Sequence, residues 1–404
     1  MTVAMASASA LGSPAFRRYL IGQVPSVTCS WAQVVALSWC VVATDPAALG
    51  WVVALQFTPS LVLGPWFGTV TDRYDRKRIL MVAEAGLGLV AAGYAVAAAT
   101  GRLTLPLIYA LAAAWGVINA LDTPARQALI PALVRPEHAA RASALTGVVL
   151  LIGMTTGSAL GAALVTTAGA AAAFAVNAAS FLLDLLLLAT IRVRARPGAG
   201  RAPRQLRDGF AYVWRTPRVR APLLALAVVG TLGFTVQVSV PVLTHSFAAG
   251  PSLVGTSFTA VTTGALAGAV VAAIRGRLGP RTLRQAAAVM AAAMAITAVA
   301  PTVPVLLGGL AGIGFGWSVL IAATVAILQT APTALLGRVM SWLAVVVTGG
   351  TAVGGPLAGA VAELAGPRAP FVLGAAAAVA AGVIMSSARI GGLFQRDLQV
   401  DRAA

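Results

Sequence analysis

Gly68-Thr69-Val70-Thr71-Asp72-Arg73-Tyr74-Asp75-Arg76-Lys77-Arg78 is the stretch from which the rest of the chain can be read. Six of these eleven residues are charged. Leu49 to Phe67 before it carries no charge, and Ile79 to Thr100 after it carries one, Glu84. Two apolar runs of membrane length joined by a short charged connection make a hairpin of transmembrane helices. The four cations, Arg73, Arg76, Lys77 and Arg78, assign the connection to the cytoplasmic side. Asp75 is suited to cap the helix that follows.

The whole composition agrees with a membrane chain. Its 404 residues are 59% hydrophobic and 10% charged, with mean hydropathy +0.90, against roughly 25% charged residues in soluble proteins. At about 20 residues per span there is room for about a dozen spans. The net charge of +17 does not indicate nucleic acid, because the Arg residues sit in the gaps between apolar runs. They read as a topology signal, with attraction to anionic lipid as a secondary effect. Cys29 and Cys40 share the first span, about 16 Å apart along a helix, too far for a disulfide. Met1 to Pro14 followed by Arg17 and Arg18 lacks the order of a cleavable signal, so the first span is expected to be retained.

Twelve spans are predicted, in an all-α fold. The first six are Tyr19–Ala43, Leu49–Phe67, Ile79–Ala99, Leu105–Leu121, Ala142–Val165 and Phe174–Ile191. In span 1, Gln23, Ser26, Ser30 and Gln33 share one face, which must meet protein or a watery cavity. The serines suit either, and Gln33 is assigned to the cavity. Span 2 ends Ser60-x-x-x-Gly64-x-x-x-Gly68, a small-residue face for close packing. Glu84 lies under two turns from the cytoplasmic end of span 3, within reach of the interface. Span 4 places Trp115, Asn119, Asp122 and Arg126 on one face, and Asp122 and Arg126 can pair. Gly153, Gly157 and Gly161 line span 5 for close helix approach. Span 6 carries Asn177 and Asp184. Asp184 lies roughly 12 Å inside the membrane end, where an acid is either functional or a structural hydrogen-bonding group.

Arg192 to Arg220 is the one long connection and holds nine Arg residues. Within it Leu206 to Trp214 reads as an amphipathic helix for the inner membrane surface. The plan then repeats: Leu223–His245 with a kink expected at Pro241, Ser252–Ile274, Leu283–Val299, Val303–Leu328, Leu336–Leu364 and Pro370–Ser387. Gly157 and Gly161 recur as Gly355 and Gly359, 198 residues on in each case, with Pro356 between them. The organisation expected is a tail at 1–15, a six-helix bundle at 16–191, a basic linker at 192–220, a second bundle at 221–390 and a tail at 391–404. With both termini inside, the cytoplasmic segments hold 26 of the 28 Lys and Arg; only Arg102 and Arg368 fall outside.

Gly-x-x-x-Asp-Arg-x-x-Arg-Lys-Arg between spans 2 and 3 resembles the signature loop of the major facilitator superfamily, with Asp75 where a second Gly commonly stands. Asp122-Thr-Pro124-Ala-Arg126-Gln127 looks like the enterobactin-exporter and macrolide-efflux branch. The span 5 glycines resemble the exporters' fifth-helix motif, with Ser158 in place of its Pro. Drug/proton antiporters of another branch carry an Arg in mid-span 4; this chain has none there, so their coupling scheme is not implied. The resemblance implies two pseudo-symmetric six-helix bundles, alternating access, a bacterial cytoplasmic membrane, and proton-driven export of a drug, antibiotic or siderophore-like compound. It also implies a conformational latch of Gly68, Asp72, Arg73, Arg76 and Lys77 with Gly337 and Arg338. In the resembled family that acid caps the start of helix 11 when the cytoplasmic side is closed.

Residue types narrow the chemistry further. His138, His245 and two cysteines in one helix cannot build a zinc site, and no phosphate-binding loop is present. No cofactor, no metal, no enzyme activity and no nucleic-acid partner are expected. Lipid, a small molecule and protons are the expected partners of a monomer. Trp31, Gln33, Gln56, Asn177, Gln237 and Trp317 are candidates for a mostly apolar cavity, which suits a large neutral or amphiphilic substrate. Glu84, Asp122 and Asp184 are the candidates for proton traffic, and Asp122 with Arg126 for a cytoplasmic gate pair. An importer of the same fold and a non-transporting membrane sensor are the alternatives.

Overall fold

A chain crossing lipid must satisfy its backbone groups internally, which for an open chain means helices. The computed structural model describes residues 11–192, 212–247, 249–276 and 278–386, apart from the side chains of residues 65, 69, 72, 333 and 334. Most of the basic linker, including Leu206–Ala211 of the expected amphipathic helix, lies outside the described residues, as do the C-terminal tail and the side chain of Asp72.

The described elements are helical: α1 (Pro14–Thr44), α2 (Ala48–Arg73), α3 (Arg76–Ala99), α4 (Leu105–Leu129), α5 (Ala139–Ala168), α6 (Ala170–Thr190), α7 (Pro217–Leu232), α8 (Val236–His245), α9 (Gly250–Arg275), α10 (Pro280–Val299), α11 (Val303–Leu328), α12 (Thr333–Ala365) and α13 (Ala369–Ser386). Among the described residues eleven segments are long and apolar enough to cross a membrane, with α7 and α8 forming one of them. α2 is 26 residues long, and its stretch from Leu49 to Phe67 carries no charge.

Local chemistry sets the ends of these helices. Ser13 Oγ accepts from the Phe16 amide (3.4 Å) and donates to the Leu133 carbonyl (2.6 Å), so it caps α1 and ties it to the chain beyond α4. Asp75 caps α3, with Oδ1 accepting from the amides of Lys77 (2.9 Å) and Arg78 (3.4 Å). α5 and α12 both end on a left-handed glycine, Gly169 at φ +82° and Gly366 at φ +91°, a conformation that a side chain would strain. The repeat seen in the glycines of these two helices therefore extends to their ends.

Packing divides the chain into two compact units. The first contains α1 to α6 together with Thr244–Thr259. In it α1 lies against α5 and α6, α2 against α4, and α3 against α6 and α4. The α5 glycines face the backbone of α1: a Cβ at Gly157 would fall 2.8 Å from Trp31 Cβ, and one at Gly161 2.7 Å from Ala32 Cα. Phe16, Tyr19, Leu80, Leu129 and Leu188 form a buried apolar cluster at the end carrying the α2–α3 connection.

The second unit contains α7, most of α8, and the helices from Ala260 onward. α7 meets α12 at Gly350 and Gly354, where added Cβ atoms would fall 3.1 Å from the carbonyl carbons of Gly230 and Thr231, respectively. Gly355 and Gly359 are buried in the same helix, and Pro356 is half-buried. Contrary to the expected kink at Pro241, the interruption of span 7 falls at Gly233–Thr235, and α8 continues through Pro241. Gly233 is a poor helix former, and its bare backbone lets Gly374 approach within 3.5 Å of where a Cβ would be. The Phe234 amide reaches back to the Val229 carbonyl (2.7 Å), and the Thr235 carbonyl restarts the helix by accepting from Val238 and Ser239 (2.9 Å each).

Candidate functional site

Four helices of the first unit converge on Arg126, in the last turn of α4. One helical turn back, Asp122 holds it in a fork: Nε is 3.1 Å from Asp122 Oδ2 and Nη2 is 3.0 Å from Oδ1. Nη2 also donates to Glu84 Oε1 of α3, and Nη1 donates to Gln23 Oε1 of α1. Asp184 of α6 brings Oδ2 to 3.6 Å from Nη1. The side chains of Glu84 and Asp184 are 0% exposed, Asp122 9% and Arg126 15%.

Three carboxylates around one guanidinium, all removed from water, make a costly arrangement. Glu84 Oε2, both oxygens of Asp184 and the Tyr19 hydroxyl are buried without a hydrogen-bond partner. Gly22 of α1 makes room: a Cβ there would collide with Asp184 Oδ1 and lie 3.1 Å from its Cγ.

Glu84 does not extend to the membrane interface, as its position near the helix end allowed. It shares the buried stripe of α3 with Leu80, Ala83, Leu87 and Ala91, and that stripe turns toward α4 and α6. Gln23, Gly22 and Tyr19 were not singled out from the sequence as site residues. The available signal was the polar face of α1, which Gln23 heads and which Tyr19 and Gly22 adjoin.

The other end of that polar face meets α6. Asn177 Nδ2 donates to Gln33 Oε1 (2.9 Å), Ser30 Oγ donates to Asn177 Oδ1 (3.3 Å), and Ser180 Oγ donates to the Asn177 carbonyl (2.8 Å). Gln33 and Asn177 are both buried. The remaining cavity candidates lie on four helices, two in each unit. Trp31 meets Phe258 edge-on, with centroids 6.2 Å apart. Gln56 is half-buried on α2 and Gln237 half-buried on α8. Trp317 stacks on Phe234 beside the break in span 7, with centroids 4.1 Å apart and planes 6° apart.

In the charged connection, Lys77 Nζ donates to the carbonyls of Ala189 (3.0 Å) and Ile191 (2.7 Å) at the end of α6. Arg76 Nη1 donates to the Ala128 carbonyl (3.4 Å) at the end of α4. These cations satisfy terminal carbonyls and complement the helix dipoles. Arg73 is exposed, and Arg78 Nε lies 3.7 Å from Asp75 Oδ2 at the surface. Among the described residues, the close packing expected through Gly64 and Gly68 is not found: a Cβ at either would meet nothing within 4 Å. α2 is approached instead by Gly116 of α4, where a Cβ would fall 2.5 Å from the Leu55 carbonyl oxygen. Small residues permit close approach without compelling it. A Cβ at Gly337 also meets nothing within 4 Å, and Arg338 lies in the first turns of α12. Among the described residues no group of His, Cys, Asp and Glu is placed to hold a metal ion.

Residues 5–401 match the family described as transmembrane secretion effector. The chain is 28% identical over 309 residues to the enterobactin exporter EntS of Escherichia coli O1:K1 / APEC, covering 75% of this chain and 74% of the relative. It is likewise 28% identical over 332 residues to EntS of Shigella boydii serotype 4 (strain Sb227), covering 79% of each. Among solved structures, a D-xylose-proton symporter superposes with TM-score 0.73 at 13% identity, over 91% of this chain and 96% of that one. An inward-facing, occupied bacterial homologue of the human lysosomal transporter Spinster gives TM-score 0.71 at 14% identity, over 92% and 95%. At such identities these structures establish the fold.

Proposed function

The chain belongs to the transmembrane secretion effector family of major facilitator transporters, and on that premise we propose that it exports a small hydrophobic or amphiphilic molecule from a bacterial cytoplasm in exchange for protons. The observation that carries the coupling is the buried cluster of Glu84, Asp122 and Asp184 around Arg126. Ionisable groups at membrane depth mark ion or substrate pathways, and a carboxylate that gains and loses a proton changes the charge balance of its bundle. The relatives named as enterobactin exporters support outward transport and a siderophore-like cargo.

Twelve spans with both termini inside accord with the distribution of Lys and Arg. The working cycle is alternating access by two six-helix bundles, 16–191 and 221–390, joined by the basic linker. Trp31, Gln33, Gln56, Asn177, Gln237 and Trp317 are proposed to serve the substrate path, and Asp122 with Arg126 the cytoplasmic gate. The α2–α3 connection is proposed as the latch, with Asp72 approaching Gly337 and Arg338 only when the cytoplasmic side is closed. Cross-linking between positions 72 and 338 should therefore form in one state and not the other; equal yield in both would remove the latch.

The deciding measurement is transport of a catecholate siderophore and a panel of lipophilic drugs in inverted and right-side-out vesicles under an imposed pH gradient. Uptake into inverted vesicles, collapsed by an uncoupler, is the expected result. Gradient-driven uptake confined to right-side-out vesicles would make the protein an importer. No movement of any compound would favour a sensor.

A further inference from the structure

The cluster around Arg126 is not symmetric among its three acids. Asp122 holds the guanidinium through both oxygens, at 3.0 and 3.1 Å. Glu84 accepts from it through Oε1 alone, and Oε2 has no partner. Asp184 stands off at 3.6 Å, and neither of its oxygens accepts a hydrogen bond. Glu84 and Asp184 flank the same guanidinium from α3 and α6, Glu84 Oε1 at Nη2 and Asp184 Oδ2 3.6 Å from Nη1, and three of their four oxygens have no hydrogen-bond partner. Among the described residues, the other charged or titratable groups facing the pair are Asp122 and Arg126 from α4 and Tyr19 from α1. The Tyr19 hydroxyl is an independent sign of an incomplete site, since it is fully buried and has no partner.

One guanidinium against three ionised carboxylates leaves two net negative charges out of water, and buried charge of that kind is strongly disfavoured. One proton placed on Asp184 and donated to Glu84 removes one of those charges. It also supplies a donor beside buried acceptor oxygens that have none.

We infer that Glu84 and Asp184 together form a proton-binding site, with the proton carried on Asp184 and donated to Glu84, while Asp122 remains the fixed ionised partner of Arg126. The step is a simple exchange with water: the Asp184 carboxyl releases its proton to become carboxylate and regains it to become the acid. Gly22 is what allows the Asp184 carboxyl to sit against α1. This deepens the coupling reading above and rests on it only for the consequence in transport.

The test is infrared spectroscopy of the purified full-length protein in lipid, following the carbonyl stretch of buried protonated carboxyl groups as pH is varied. A deuterium-sensitive band is expected in the wild type and should be lost as pH rises. Asp184→Asn should remove it, whereas Glu84→Gln and Asp122→Asn, each of which takes away a neighbouring negative charge, should shift its midpoint and keep the band. Asp184→Glu, which keeps the carboxyl, should retain a displaced band and guards against a variant that fails to fold. A band that survives Asp184→Asn, or is absent from the wild type throughout the titration, overturns the site. So does loss of the band on adding sodium at constant pH, which would mark a metal-cation site instead. A band that behaves as expected in a protein whose efflux ignores the pH gradient supports the site and defeats the coupling reading. Proton-driven efflux in a wild type without the band defeats the site and leaves coupling standing.

Discussion

In the first unit α3, α4 and α6 meet at Glu84, Asp122, Arg126 and Asp184. In the second unit the corresponding helices, α10, α11 and α13, meet at Met290, Met294, Gly312, Gly316 and Gly374. A Cβ at Gly316 would lie 2.9 Å from Met290 Cβ, and one at Gly374 2.7 Å from Met294 Sδ. Between residues 221 and 390 the chain has a single acid, Glu363, and it is exposed. Helices of this kind therefore pack without charge. Because buried ion pairs are seldom more stabilising than apolar groups of similar volume, the cluster in the first unit calls for a reason outside stability.

Arg126→Met should have the largest effect. It strands three carboxylates with no cation, and loss of one partner of a buried pair typically destabilises by about 3–5 kcal/mol. A marked drop in the unfolding midpoint in detergent is the expected reading. Replacing the whole cluster (Arg126→Met with Glu84→Leu, Asp122→Leu and Asp184→Leu) should then restore stability to near or above wild type, by up to about 1–4 kcal/mol, while abolishing transport. If the fourfold variant unfolds as early as the single one, the charges belong to the fold after all.

Glycine contacts should not distinguish the units. Gly157→Ala and Gly316→Ala each force a methyl against a neighbouring helix and should each cost about 1–3 kcal/mol, measured by the same unfolding assay. A tolerated change in only one unit would show that the two interfaces are not equivalent. Gly22→Ala is a more local probe. Its methyl would displace the Asp184 carboxyl, so the proton-driven transport proposed above should fall more than stability does. The smallest expected effect is at the helix starts. Asp75→Ala removes a side-chain cap from α3 and should cost about 1 kcal/mol. Thr282→Ala at the start of α10 should cost less, because Thr282 Oγ1 accepts only a long 3.4 Å bond from the Gly279 amide.

Hydropathy and charge along the chain determined the helical class, the positions of nearly every helix, the α2–α3 turn with its Asp75 cap, and the acids that lie at membrane depth. These are local properties, summed over a few residues or one helical turn, and so is the i, i+4 spacing of Asp122 and Arg126. Tertiary structure decided which faces meet. It turned Glu84 inward to Arg126, brought Asp184 and Gln23 to the same guanidinium from residues 58 and 103 positions away, and gave Lys77 the end of α6. It also moved the break in span 7 from Pro241 to Gly233 and, among the described residues, placed nothing within 4 Å of a Cβ at Gly64 or Gly68. In a membrane chain the lipid-facing and protein-facing sides of a helix are both apolar, so the sequence carries little record of helix rotation. Only the packing of one helix on another selects the inner face, and with it the partners of each buried charge.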